Sequence, residues 1–260
     1  MVLGICDLSV VPLRSDPAHR SEMVNQLLFG ECFEILEDGK EWVYIRMLDN
    51  DYEGWLQVGQ FELCNAAFKP QLDAAYNVVG RDGATATRQG KTIQLLTGTK
   101  LPTYLTAKDQ QLQNWDYEVS GDIFPGTISD FKTEFPGLVR FYNHSPYLWG
   151  GRSQYGIDCS GLTQAIFAQF GIQLPRDAYQ QAEQGTTVDF ATEIKTGDLA
   201  FFDNEEGRIT HVGVMLDGER IFHASASARI DRMDSEGIFR QDWNRYTHKL
   251  RIVKRYFEQD

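Results

Sequence analysis

Gly156-Ile157-Asp158-Cys159-Ser160-Gly161, running on into Leu162, Ala165, Ile166 and Phe170, is the stretch that decides the fold. Apolar residues at three- and four-residue spacing predict a helix that begins at Cys159. Asp158 stands where an N-cap belongs, and Gly171 stands where a left-handed glycine ends a helix. Strand-like runs follow at Asp198–Phe202, Val212–Leu216 and Arg220–Phe222. A helix followed by antiparallel strands is an α+β order rather than an alternating βαβ one. Upstream, Phe131 to Tyr142 is predicted helical with an interruption at Pro136-Gly137.

Cys159 falls in the first turn of its helix. Exposed N–H groups and the helix dipole there favour an anion, which predicts a lowered thiol pKa and a reactive thiolate. Gly150, Gly151, Gly156 and Gly161 would keep the surroundings narrow enough for a substrate backbone to approach. The competing reading is an inert buried cysteine that happens to start a helix. A nucleophile needs a base, and the base needs an orienting group. The histidines are His19, His144, His211, His223 and His248. A three-residue loop Leu216-Asp217-Gly218, with Gly218 left-handed, would pair residue 215 with 219 and so His211 with His223 on one face. A two-residue loop would pair 212 with 223 and separate the two imidazoles. Two histidines on a hairpin also fit ordinary polar surface or half of a metal site. No carboxylate spacing completes a metal site, so neither a metal nor another cofactor is expected.

Ahead of this region, Cys32–Leu36 and Trp42–Arg46 alternate around the Asp38-Gly39 turn, and Asp51-Tyr52-Glu53-Gly54 leads into Trp55–Val58. Short strands with glycine turns predict a small SH3-like β-barrel over residues 1–64. Weaker alternation in Val78-Val79-Gly80, Thr92–Leu96 and Trp115–Val119 predicts a second, divergent barrel over 65–125. The remaining segment, 126–260, carries the helix and the histidines.

With 260 residues, the chain is long enough for two or three domains. The formal net charge of −12 argues against nucleic acid as a partner. It could favour a substrate bearing free amines, although solubility alone explains it. Cys6, Cys32, Cys64 and Cys159 show no C-x-x-C spacing, and reduced thiols in a cytoplasm are the simpler account. No apolar run is long enough to span a membrane, and the N-terminus lacks a basic leader, so a cytoplasmic location and no membrane partner are expected.

The motifs Tyr147-Leu148-Trp149-Gly150-Gly151, Gly156 to Gly161, Leu174-Pro175-Arg176, Gly197-Asp198-Leu199, His211-Val212-Gly213-Val214 and Ile221-Phe222-His223-Ala224 resemble the NlpC-type cysteine peptidases of bacterial cell-wall metabolism. The likeness spans roughly residues 140–225 and implies a papain-like α+β fold. It also implies Cys159 as nucleophile, His211 as general base and His223 as the residue that orients it. The main-chain N–H of Cys159 is implied as an oxyanion donor. Pro12-Leu13-Arg14, Leu28–Glu31, Glu41-Trp42 and Tyr52–Trp55 resemble a bacterial SH3 domain over roughly residues 5–63. The combination is similar to the γ-D-glutamyl-L-diamino acid endopeptidases (the dipeptidyl-peptidase VI group). That resemblance implies murein peptides of the form L-Ala-γ-D-Glu-diamino acid as substrates, with Asp158 and Glu53 holding the free amine. It further implies that Tyr147 and Trp149 line the pocket and that Ser160 binds the substrate carboxylate. A monomer is expected. Arg176 and Asp177 are expected to form a structural pair. Rival readings are a wall-binding SH3 protein with an idle catalytic domain, and a hydrolase or amidase acting on intact peptidoglycan.

Overall fold

The computed structural model describes residues 2–64, 76–102 and 115–258. It divides into two compact units, Met1–Glu134 with Ala165–Ile172, and Phe135–Gln164 with Gln173–Asp260.

The first unit begins with β1 (Val2–Ile5), β2 (Val10–Arg14), β3 (Met23–Leu28), β4 (Cys32–Glu37), β5 (Trp42–Met47), β6 (Glu53–Gln57) and β7 (Glu62–Leu63). They form one antiparallel sheet in the order β3-β2-β6-β5-β4-β1-β7. Alternate residues Val11 and Leu13, Val43, Ile45 and Met47, and Leu56 point into one core with Leu27 and Phe33, each at most 1% exposed. This is the period-two burial that the alternating runs predict. Trp55 pairs with Tyr44 across β5 and β6, their rings 5.2 Å apart.

The second barrel expected over 65–125 lies partly on residues 65–75 and 103–114, which are outside the described ones. The rest of that span gives β8 (Tyr76–Arg88), β9 (Lys91–Leu95), β10 (Lys100–Pro102) and β11 (Glu118–Pro125), a sheet centred on β8. It shares an apolar cluster with the first sheet. Val79, Leu95, Leu101 and Trp115 pack with Ile5, Phe29 and Cys32, and Phe29 sits 5.2 Å from the Trp115 ring.

Next come α1 (Phe131–Tyr142), β12 (Arg152–Ser153), β13 (Gly156–Ile157), α2 (Cys159–Ala168) and α3 (Ala178–Ala182). Helix α1 runs through Pro136 without the expected break. Proline removes one N–H there, but Phe131, Phe135, Leu138, Val139 and Tyr142 are all buried along one face, and that burial outweighs the lost bond. Gly171, at φ +77°, stops α2 where the sequence places the stop.

The second unit is built around β15 (Leu199–Asp203), β16 (Ile209–Met215), β17 (Arg220–Ser225), β18 (Ser227–Met233), β19 (Gly237–Arg240) and β20 (Arg245–Arg255), with the short β14 (Thr186–Thr187) added beside β20. Successive strands pair, and β19 also pairs with β20, which closes the six strands into a barrel. Ala200, Phe202, Met215, Ile221, Met233, Ile238 and Val253 fill a core cluster. The second unit is thus helices followed by antiparallel strands, the α+β order expected.

The hairpin register departs from expectation. Met215 pairs with Ile221 and Gly213 with His223, so the loop is two residues longer than predicted. Asp217 builds that loop. Its Oδ1 accepts the Glu219 and Arg220 N–H groups at 2.9 and 2.8 Å, and the Arg220 guanidinium binds Oδ2 at 2.7 Å. Gly218 therefore does not need the left-handed conformation. Because the slip is two residues, His211 and His223 keep a common face as diagonal neighbours rather than direct partners.

Candidate active site

Cys159 opens α2 and is 5% exposed. Asp158 caps the helix as expected, its Oδ1 accepting the Gly161 N–H at 2.7 Å while Oδ2 accepts the Gly150 N–H at 2.8 Å. A side chain at Gly161 would place its Cβ 2.3 Å from the Gly151 carbonyl oxygen, so glycine is required where this loop presses on the helix start.

The Asp158 carboxylate is also gripped by Arg176. Nη1 reaches Oδ1 at 3.1 Å and Nη2 reaches Oδ2, forming a bidentate pair almost sealed from solvent. Arg176 thus pairs with Asp158 rather than with Asp177, which instead forms the capping box of α3 with Gln180. Ser160 is 5% exposed, and its hydroxyl accepts from Arg176 Nη1 at 2.8 Å. Tyr147 is half-buried; burial and the nearby Cys159 and Asp158 push its phenol upward. Trp149 is 57% exposed. Glu53 belongs to the first unit, at the start of β6, where Arg46 Nε donates to Oε1 at 2.8 Å and Tyr44 Oη to Oε2 at 3.1 Å. Those bonds hold its carboxyl below the usual range.

The Cys159 sulfur lies close enough to the main-chain N–H of Val212 for that group to lower its pKa, and Val212 follows His211 on β16. His211 Nε2 lies 2.9 Å from His223 Nδ1, and His223 Nε2 lies 3.0 Å from Asp231 Oδ2. Arg229 closes the row, with Nε 2.6 Å from Asp231 Oδ2 and Nη2 2.8 Å from Oδ1. His211, His223 and Asp231 are each at most 8% exposed. His248 on β20 stacks on His211, the rings 4.1 Å apart and 24° from parallel. Gly213, directly opposite His223, explains how the row fits: a Cβ there would lie 2.8 Å from the His223 Cβ. The diagonal offset also supplies the reach that an end-on imidazole pair needs and that directly opposed residues lack.

Sequence reasoning missed Asp231, Arg229 and His248. The available signal was the alternating run Ala228-Ile230-Arg232 against Arg229-Asp231-Met233, which places an acid on an inward position of a strand next to His223.

The electrostatics differ from the helix-start expectation. Burial, and then the Asp158 charge, push the Cys159 thiol up to about 12, and the backbone N–H groups do not offset them. Burial, then His248 and His223, hold the His211 imidazole well below its ordinary range. Both shifts favour the uncharged thiol and imidazole over the ion pair that the helix start alone predicts. Burial would raise Asp231, but hydrogen bonds from His223 and Arg229 hold it at about 2.

Stability should follow these shifts. Burial lowers His248 to about 4 and lowers His211 and His223 as well. The unfolded chain then binds more protons as pH falls below about 6.5, so stability drops, for His248 by up to about 1.4 kcal/mol per pH unit between about 6.5 and 4, with His211 and His223 acting in the same direction. The melting temperature should be level above pH 7 and fall steadily toward pH 4, with Asp231 adding a further loss only at lower pH. A level profile down to pH 4.5 would contradict this.

Among the described residues, no cluster of three or more His, Cys, Asp or Glu is arranged to hold a metal ion. A thiol at a helix start beside hydrogen-bonded imidazoles on barrel strands is an arrangement that suits acyl transfer through sulfur.

Comparison with known proteins agrees. The NlpC/P60 family profile matches residues 144–251, and the bacterial dipeptidyl-peptidase Sh3 domain profile matches residues 13–61. The γ-D-glutamyl-L-lysine dipeptidyl-peptidase of Bacillus subtilis (strain 168) is 32% identical over 251 residues, covering 87% of this chain and 76% of its own. Dipeptidyl-peptidase 6 of Lysinibacillus sphaericus is 26% identical over 264 residues, covering 88% and 92%. The crystal structure of an NlpC/P60 family protein from Bacillus cereus ATCC 10987 superposes with a TM-score of 0.74 at 20% identity, covering 98% of this chain and 99% of its own, a likeness of fold. With a relative of 32% identity covered over three quarters of its length, and profiles matching both the catalytic and the SH3-type parts, the chain belongs to the NlpC/P60 family of cysteine peptidases.

Proposed function

We propose that this peptidase hydrolyses the γ-D-glutamyl-L-diamino acid bond of murein peptides that carry a free N-terminal L-Ala, as part of cell-wall peptide recycling. The observation that carries this reading is the extent of the similarity. Two relatives named for dipeptidyl-peptidase activity match most of the chain, so the SH3-type front is shared along with the catalytic barrel.

The chemistry follows from the row of side chains. As the Cys159 sulfur attacks the amide carbonyl, its proton passes to His211, whose ring is held by His223. The new S–C bond forms, the developing oxyanion faces the start of α2, and the amine leaves with the proton from His211. Water then hydrolyses the thioester, His211 taking the water's proton, and the thiol is restored.

The test is incubation with L-Ala-γ-D-Glu-L-Lys and with its meso-diaminopimelate counterpart, and mass-spectrometric detection of L-Ala-γ-D-Glu. Release is expected from one or both, and N-acetylation of the alanine, which removes the ammonium proposed to pair with Asp158, should lower kcat/KM by about 10²-fold or more. No release from either peptide, or equal turnover of the blocked and free forms, overturns the reading and directs attention to intact wall.

A further inference from the structure

The family's thiol and two histidines do not account for the far end of the row. Asp231 touches neither the thiol nor the base, yet it is 8% exposed and receives three hydrogen bonds. We propose that Asp231 is a positioning residue that fixes the proton polarity of the whole row, so that Nδ1 of His211 is the atom that takes the Cys159 proton.

The argument is one of donors and acceptors. Arg229 presents two N–H groups to Asp231, at 2.6 and 2.8 Å, one to each oxygen, so the carboxylate is ionised and can only accept. His223 Nε2, 3.0 Å from Oδ2, must then be a donor. Burial keeps His223 neutral, and a neutral imidazole carries one N–H. Its Nδ1 is therefore a bare lone pair. His211 Nε2, 2.9 Å away, must donate to it. His211 is neutral for the same reason, and its Nδ1 is left without a proton. Each tautomer is dictated by the bond before it, and the sequence of choices starts at Asp231. Arg229 belongs to the device because it keeps the carboxylate ionised and still.

An amide at 231 undoes the logic. Whichever way the amide turns, its Nδ2 faces an Arg229 donor, which breaks the clamp; turned toward His223 Nε2, it donates there, reverses both tautomers and puts a proton on His211 Nδ1, where the base should be empty. Asp231→Asn is therefore expected to lower kcat by about 10²–10⁴-fold with KM unchanged, the range seen when an orienting carboxylate of a catalytic histidine becomes an amide. The rate at which iodoacetamide alkylates Cys159, followed by mass spectrometry, should fall in parallel.

This inference rests on the cysteine-peptidase assignment and not on the identity of the peptide. The alkylation rate reads the thiol and its base with no peptide present, so it separates a failure here from a failure of the substrate reading. The tautomers are also visible without any substitution. In ¹⁵N-labelled parent protein, long-range ¹H–¹⁵N spectra should show His211 and His223 both protonated at Nε2. Protonation at Nδ1 in either ring would overturn the proposal, whether or not the variant folds. So would an Asp231→Asn protein with the parent's kcat and alkylation rate.

Discussion

Cys159→Ser should turn over peptide at least about 10⁴-fold more slowly than the parent enzyme, because the nucleophile carries the reaction and cannot be replaced by the groups around it. The exchange of sulfur for oxygen is nearly isosteric, so the site should fill as before and the melting temperature should stay the same. The size of the loss follows from the resting state. Burial already raises the thiol to about 12, and His211 is a weak base because burial disfavours its cation. Proton transfer between them is uphill even for sulfur. An alkoxide is a far stronger base than a thiolate, so the same transfer from serine is steeper still. Measuring kcat alongside the thermal transition checks both halves. Retained turnover in the serine variant would remove Cys159 from the mechanism.

Arg176→Leu should have the largest effect on folding, a loss of about 3–5 kcal/mol, because it leaves a buried carboxylate without its counterion. Arg176 is 2% exposed and Asp158 4%. The Gly150 and Gly161 N–H groups would still bind Asp158, but they carry no full charge. Adding Asp158→Asn to the leucine variant should recover part of the loss, since the stranded charge is then gone. Urea midpoints of the two variants and the parent decide this. Equal midpoints for the leucine variant and the parent would show that the pair contributes nothing to stability.

How far the sequence could be read depends on which physical signal each element carries. Helix α2 was legible because its apolar period, its cap at Asp158 and its stop at Gly171 agree. Strands β4, β5, β15, β16 and β17 were legible from apolar alternation and turn glycines. The pairing of His211 with His223 was anticipated in kind but not in register. The hydrogen bonds of Asp217 set the loop length, and a tabulated turn type does not contain them. Strands β18 to β20 were not seen at all. Arg229, Asp231 and Arg232, and later Arg245, Lys249 and Arg251, make them look like solvated surface, although Asp231 and His248 turn toward the site. A strand whose inward positions serve chemistry instead of a core loses the contrast that periodicity detects. The thiol was misjudged because a helix start is a local feature and burial is a property of the finished fold.

His211, His223 and Asp231 sit on three successive strands, each displaced by two residues from the one before. Their separations are therefore multiples of the sheet's own repeat, about 4.8 Å sideways and two residues along. The β16–β17 loop built by Asp217 sets the register of the first step. Insertions elsewhere around the rim can come and go without detuning the row, in the way a crystal face can be reshaped without altering its lattice constant. Descent can thus rework which peptide enters while the reactive machinery is inherited unchanged.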